Sequence, residues 1–139
     1  MAGKAYTRSE IGGVHPVALI AIVDDSRLAR VFAAAALKKA GHEVAEIDPT
    51  SLDEVLALLR TLRPALLLLD QQMPNFSGSS LVRACFEDDA LASLKVVMLT
   101  AQHDEDMERR MEKLGVDAVL HKPITPQGLT ARAAELLGE

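Results

Sequence analysis

The sequence predicts an α/β domain of three layers, in which a five-stranded parallel sheet carries helices on both faces. Short apolar runs alternate five times with longer segments whose apolar residues recur near helical spacing. Regular alternation of this kind is typical of right-handed crossovers between parallel strands. The chain has 139 residues, of which 49% are apolar and 25% charged. Such a chain fits one globular domain, which buries about two thirds of the surface that its unfolded chain exposes.

The predicted strands are short and mostly apolar. The third run is the most apolar, and its short length between Pro64 and Pro74 favours a strand buried on both faces over a helix. In chain order, the predicted strands are VALIAIV at 17–23, EVAEI at 43–47, ALLLLD at 65–70, KVVMLT at 95–100 and DAVLH at 117–121.

The first two predicted helices begin after residues that can cap their first turn. Ser26 precedes the first helix, which ends at Gly41. Thr50 or Ser51 begins the second helix, and Pro64 ends it because the residue before a proline disfavours helical backbone. The other three helices are predicted at 77–88, 104–114 and 125–137.

Charge and composition argue against two classes of function. The formal net charge is -5, and the chain has no tryptophan, one tyrosine and three phenylalanines. Nucleic-acid binding usually needs a basic surface and aromatic rings on which bases stack, so direct binding of DNA or RNA is not expected. No apolar run approaches the roughly 20 residues that span a bilayer, so no membrane association is expected either.

The first 16 residues are expected to form a flexible N-terminal tail, followed by a domain at 17–139. The tail is polar and contains glycine, and it lacks the apolar central stretch of a secretory signal. Cys85 is the single cysteine, which excludes an internal disulfide and leaves no Cys-x-x-Cys pair for zinc. A reducing, cytoplasmic setting is therefore expected.

Reactive side chains stand at the carboxyl ends of four predicted strands. Asp24 and Asp25 follow the first strand, Asp70 ends the third, Thr100 ends the fourth, and Lys122 follows the fifth. Taken singly these residues are ordinary, since aspartates after strands often cap helices and threonine favours strands. Because parallel strands bring their carboxyl ends to one edge of the sheet, we expect the five side chains to meet there.

Three carboxylates in a small volume repel one another, so the pKa of at least one rises unless a cation is present. A set of oxygen ligands without thiolate suits Mg²⁺, which commonly binds one or two carboxylates together with phosphate oxygens. Lys122 can neutralise an anion that also contacts the metal ion. A phosphoryl group is an anion that can bind both Mg²⁺ and a lysine. Asp70 is then the candidate nucleophile, and Thr100 would donate a hydrogen bond to a phosphoryl oxygen.

Four motifs carry a resemblance to a known family: IVDDS at 22–26, LLLLDQQMPNFSG at 66–78, VVMLTA at 96–101 and GVDAVLHKP at 115–123. Together they resemble the receiver domain of two-component response regulators, the CheY-like superfamily, over about residues 17–137. The resemblance implies a flavodoxin-like, doubly wound (βα)5 fold whose parallel strands lie in the order 2-1-3-4-5.

The resemblance also implies a function: a single-domain receiver that takes a phosphoryl group from a histidine kinase or phosphotransfer protein onto Asp70. Mg²⁺, for which Mn²⁺ can substitute, would be bound by Asp25, Asp70 and the backbone carbonyl of Gln72, with Asp24 acting through water. Thr100 and Lys122 would report phosphorylation to a downstream protein target. Such a domain signals by phosphorylation-dependent binding and has no dedicated external substrate, so it is not expected to be an enzyme.

Val119 departs from the family pattern, because an aromatic residue usually stands three positions before the lysine. A receiver-like interaction module that acts without phosphorylation is therefore an alternative, as is a receiver fragment of a larger hybrid protein. The oligomeric state stays open.

Two other functional classes fit the sequence less well. A phosphatase of the haloacid dehalogenase type needs a second aspartate two positions after the first, where this chain has Gln72. A nucleotide-binding protein needs a glycine-rich loop after the first strand, and IVDDSRLA contains no glycine.

Overall fold

Strands and helices alternate along the chain in a computed structural model, which describes residues 18–138. No helix in this range combines the length and apolar character needed to cross a membrane. The elements are β1 (Leu19–Val23), α1 (Arg27–Lys39), β2 (Glu43–Ile47), α2 (Leu52–Leu62), β3 (Leu66–Asp70), α3 (Gly78–Phe86), β4 (Lys95–Thr100), α4 (Glu105–Leu114), β5 (Ala118–His121) and α5 (Pro126–Leu137).

All five strands of residues 18–138 join one parallel sheet in the order β2-β1-β3-β4-β5. This confirms the predicted fold class. The register aligns the carboxyl ends of the central strands: Val23 pairs with Leu69, Asp70 with Leu99, and Thr100 with His121. The reactive positions predicted from the sequence therefore stand at one level of the sheet, which we call its carboxyl edge.

The leucine run of β3 is buried on both faces of the sheet, as predicted. Leu67 and Leu69 belong to the apolar layer under α2, α3 and α4, whereas Leu66 and Leu68 belong to the layer under α1 and α5. Each of these leucines is at most 1% exposed. Burying one such side chain contributes about 1.5–3 kcal/mol, so the backbone that ends at Asp70 is held firmly from both sides.

Side-chain caps begin all five helices of the described chain. The cap of α2 is Ser51 rather than Thr50, and its hydroxyl oxygen accepts a hydrogen bond from the amide of Glu54. Each cap satisfies an amide that has no partner within the helix. The other four caps, each accepting from the amide three residues ahead, are Ser26, Ser77, Asp104 and Thr125.

Helix α3 ends at Phe86, two residues before the end of the predicted range 77–88. The reason is Asp88, whose carboxylate accepts hydrogen bonds from the amide of Ala90 and from the guanidinium of Arg60 on α2. An aspartate that bonds to the backbone ahead of it favours a turn over continued helix. At the other end of the chain, β1 begins at Leu19, and the predicted tail lies outside the described residues.

Cys85 is a core residue of α3 and is fully buried. Burial in apolar surroundings is the main reason that its pKa rises from 9.0 to about 12, and the nearby charge of Asp88 adds to the effect. The thiol therefore stays protonated at neutral pH and packs as a small apolar side chain.

Gly78, the first residue of α3, lies directly against the end of β3. Its amide donates to the carbonyl of Gln71, with the nitrogen and oxygen 2.9 Å apart. A Cβ atom at this position would lie 2.6 Å from the carbonyl oxygen of Asp70 and 2.9 Å from the Cα of Gln71. Only glycine allows the helix to begin so close to the strand that carries Asp70.

We expect Gly78→Ala to lower the free energy of unfolding by about 1–3 kcal/mol, because the added methyl group must displace backbone rather than a flexible side chain. Chemical denaturation measures this change. Gly128→Ala in the first turn of α5 is the control, since the nearest atom to its Cβ is the hydroxyl of Thr125, at 3.0 Å. A loss for Gly78→Ala no larger than that for Gly128→Ala would contradict the steric argument.

Candidate functional site

Three aspartates gather at the carboxyl edge, where β1 and β3 lie side by side. Asp24, Asp25 and Asp70 each offer a carboxylate oxygen, and these atoms all lie within 4.8 Å of one another. Asp24 is 2% exposed and Asp70 is 7% exposed, whereas Asp25 faces solvent. This acidic cluster can hold a metal ion, and one side of it is open to a ligand.

Lys122 reaches the acidic cluster from the end of β5, across β4. Its Nζ atom lies 3.3 Å from Oδ2 of Asp24 and 3.4 Å from Oδ2 of Asp70. Its backbone amide donates to the carbonyl of Thr100, and its peptide bond to Pro123 is cis. The ammonium group thus bridges two carboxylates of the cluster.

Thr100 and Gln72 flank the acidic cluster. Thr100 is fully buried one position beyond Leu99, the register partner of Asp70, and its hydroxyl oxygen accepts from the amide of Gln102 at 3.1 Å. The amide nitrogen of Gln72 lies 3.3 Å from Oδ1 of Asp70, to which it donates. The backbone of Gln72 therefore stands beside the carboxylate of Asp70.

Burial and charge act against each other in this site. Burial raises the pKa of Asp70 above its ordinary value of 3.8, and the charge of Lys122 and the amide of Gln72 do not fully offset this; Asp24 raises it further. Burial lowers the pKa of Lys122, but Asp24 and Asp70 outweigh it, so the pKa lies above its ordinary value of 10.5. The single ammonium of Lys122 thus does not offset the full cost of burying the Asp70 carboxylate, and a further cation would stabilise its ionised form.

Arg30 is a contact of the site that the sequence analysis missed. It lies on α1, six positions after Asp24, and its Nη1 atom donates to the backbone carbonyl of Asp24 at 2.5 Å. Its side chain is 12% exposed. The sequence offered one usable signal, an arginine within two helical turns of an acidic pair.

The face of β5 toward α4 carries a second unexpected arrangement. His121 stacks on His103, with ring centroids 4.2 Å apart and planes 10° from parallel. The Nε2 atom of His121 lies 2.9 Å from Oε2 of Glu108 on α4. The imidazole of His121 thus contacts both α4 and the loop after β4. Val119 packs against the apolar layer under α2, α3 and α4.

An apolar groove of about 460 Å³ opens beside the acidic cluster, between α1 and the segment after β5. Leu28 and Phe32 line it and are 80% and 53% exposed. Asp24 and Lys122 also line it, at the carboxyl edge. Exposed apolar surface next to a reactive site is typical of a docking surface.

Comparison with known proteins places this geometry in a family. The family model described as the response regulator receiver domain matches residues 20–134. The chain is 35% identical over 118 residues to the phosphate regulon transcriptional regulatory protein PhoB of Pseudomonas aeruginosa, a match that covers 85% of this chain and 51% of PhoB. The chain thus spans about half the length of that relative.

Two further similarities extend over nearly the whole length of the compared proteins. The polar-differentiation response regulator DivK of Brucella anthropi is 29% identical over 120 residues, which cover 86% of this chain and 96% of DivK. The structure of the chemotaxis protein CheY4 of Vibrio cholerae has a TM-score of 0.79 and 25% sequence identity, covering 86% of this chain and 98% of CheY4. The family match spans all five side chains predicted to meet at the carboxyl edge, and the chain belongs to the response regulator receiver domain family.

Proposed function

We propose that this domain accepts a phosphoryl group on Asp70 in a Mg²⁺-dependent reaction and signals by phosphorylation-dependent binding to a protein partner. One observation carries the proposal: a carboxylate at the end of a rigid strand lies 3.4 Å from an ammonium group, inside a cluster of three carboxylates. Phosphoryl transfer needs this combination of nucleophile, fixed cation and metal ligands.

The donor set of the acidic cluster fits Mg²⁺. Carboxylate oxygens within a few ångströms of one another, with no thiolate or imidazole among them, suit a hard cation. Asp25, Asp70 and the backbone carbonyl of Gln72 are the proposed ligands, and Asp24 would act through water. The ion would neutralise charge on the phosphoryl oxygens, and Mn²⁺, which takes the same oxygen donors, would substitute for it.

Each residue of the carboxyl edge then has a distinct role. A carboxylate oxygen of Asp70 forms the new bond to phosphorus, while the bond between phosphorus and the histidine nitrogen of the donor protein breaks. The ammonium of Lys122 neutralises one transferring oxygen, and the hydroxyl of Thr100 donates a hydrogen bond to another. Water later attacks phosphorus, the bond between phosphorus and the Asp70 oxygen breaks, and inorganic phosphate leaves, which returns Asp70 to the free carboxylate.

The donor would be a histidine kinase or a phosphotransfer protein that docks on the groove beside α1. The exposed side chains of Leu28 and Phe32 supply apolar contact area, and Asp24 and Lys122 of the acidic cluster line the same groove. A partner seated there would bring its phosphorylated side chain to the acidic cluster. Such an exchange between proteins is proposed to take place in the cytoplasm.

We expect incubation with Mg²⁺ and a small phosphodonor to add one phosphoryl mass to the wild-type protein and none to Asp70→Asn, which lacks the nucleophilic oxygen. Intact-protein mass spectrometry measures this, and EDTA should abolish the addition. Asp104→Asn is the matched control, because an asparagine there still caps α4 and the acidic cluster is unchanged. Wild-type protein that stays unmodified would favour a receiver-like module that acts without phosphorylation.

We expect Asp70→Asn to raise the melting temperature by a few degrees at pH 7 without metal. The folded-state pKa of Asp70 lies above its ordinary value of 3.8. As pH rises from the ordinary pKa of Asp70 toward its higher folded-state pKa, the unfolded chain loses the carboxyl proton before the folded chain does. The ionised carboxylate of Asp70 therefore lowers the free energy of unfolding at neutral pH. The advantage of Asp70→Asn should therefore shrink as pH falls toward 3.8.

Thermal unfolding followed across pH, with and without Mg²⁺, measures the effect. Saturating Mg²⁺ should stabilise the wild type more than Asp70→Asn, because a ligand stabilises the form that binds it. The control is Asp89→Asn, which changes an exposed aspartate in the turn after α3 and should leave the melting temperature nearly unchanged. A melting temperature of Asp70→Asn below that of the wild type at pH 7 without metal would contradict the burial argument.

A further inference from the structure

We infer that Arg30 is a positioning residue for Mg²⁺ binding, which fixes the backbone of Asp24 and ties it to two acidic side chains at the end of β2. The inference rests on the proposed function, since it concerns the metal affinity of the same acidic cluster. Arg30 contacts the backbone of Asp24 and none of the reacting atoms, so it would act through the placement of Asp24 and Asp25.

Asp24 is held from three directions, and Arg30 supplies the contact to its backbone. The Nη1 atom of Arg30 lies 2.5 Å from the carbonyl oxygen of Asp24. Oδ1 of Asp24 accepts from the amide of Ser26 at 2.9 Å, and Oδ2 accepts from Nζ of Lys122 at 3.3 Å. A hydrogen bond from a charged donor is shorter and stronger than a neutral one. Arg30 therefore fixes the peptide between Asp24 and Asp25, on which the direction of both side chains depends.

The guanidinium also lies near two carboxylates at the end of β2, the strand next to β1. The Nε atom of Arg30 lies 3.9 Å from Oε1 of Glu46, and its Nη1 atom lies 3.9 Å from Oδ1 of Asp48. Because arginine presents several donors in a rigid plane, one side chain can face a carbonyl and two carboxylates at once. Arg30 thereby links α1, the end of β1 and the end of β2 at the carboxyl edge.

Two physical effects of Arg30 on a bound cation have opposite signs. Its positive charge repels Mg²⁺, so its removal would tighten binding if charge alone mattered. Its hydrogen bond holds Asp24 and Asp25 in place, so its removal would weaken binding if placement mattered. Glu46 and Asp48 counter the charge, whereas no other side chain in residues 18–138 donates to the Asp24 carbonyl. We expect placement to dominate.

The experiment is an NMR titration of ¹⁵N-labelled protein with MgCl₂ at pH 7, in which amide shifts give the dissociation constant and the spectrum verifies folding. We expect Arg30→Met to weaken Mg²⁺ binding about tenfold, the lower end of the effect usual for residues that orient metal ligands. Arg30→Lys, which keeps a charged donor, should recover most of the affinity. Arg27→Met removes an equal charge from an exposed position on α1 and should leave Mg²⁺ binding unchanged or slightly tighter.

The outcomes separate this inference from the proposed function. Arg30→Met binding Mg²⁺ as tightly as the wild type, or more tightly, would overturn the positioning role, even if that variant melted at a lower temperature. Equal weakening by Arg27→Met and Arg30→Met would also overturn it, because the effect would then follow charge loss on α1 rather than the hydrogen bond. Wild-type protein that shows no Mg²⁺-dependent shifts would instead overturn the Mg²⁺ site on which the proposed function depends.

Discussion

The ion pairs of Lys122 with Asp24 and Asp70 make an acidic carboxyl edge compatible with an apolar sheet. Both aspartates are nearly buried, and both lie within ion-pair distance of the Lys122 ammonium. Buried charged groups are generally found paired, because an unpaired one costs much free energy. Lys122 is 98 positions from Asp24 in the chain, so their contact exists only if the strands lie in the order found. The chemistry of the site therefore depends on the whole sheet, and on no single segment of it.

The leucines of β3 serve the site as well as the core. A strand buried on both faces has little freedom to shift, so the carboxylate that ends it has a fixed position and is largely shielded from solvent. Gly78 extends this constraint, since α3 begins against the backbone of Asp70. Rigidity and partial desolvation strengthen electrostatic interactions, which gives a nearby cation or anion more influence than it would have in water.

Local patterns in the sequence were enough to predict all five strands, the caps of the first two helices and the meeting of Asp24, Asp70 and Lys122, because alternation implies parallel strands whose carboxyl ends share one edge of the sheet. The strand order, in contrast, was implied by the resemblance to receiver domains. The missed features depend on tertiary contacts. The contact of Arg30 with Asp24 is local, but its contacts with Glu46 and Asp48 exist only when β2 lies beside β1. The stack of His103 on His121 joins a loop to a strand. The early end of α3 likewise depends on Arg60, which belongs to another helix.

The buried thiol of Cys85 has a practical consequence. Its pKa of about 12 and its full burial leave almost no thiolate for oxidants or alkylating reagents to attack. Since the sequence contains one cysteine, a second cysteine engineered on the surface would be the only readily accessible thiol in the molecule. A spin label or dye can then be attached at one chosen position of the native background, and two engineered cysteines on different helices would allow the distance between them to be measured with and without Mg²⁺.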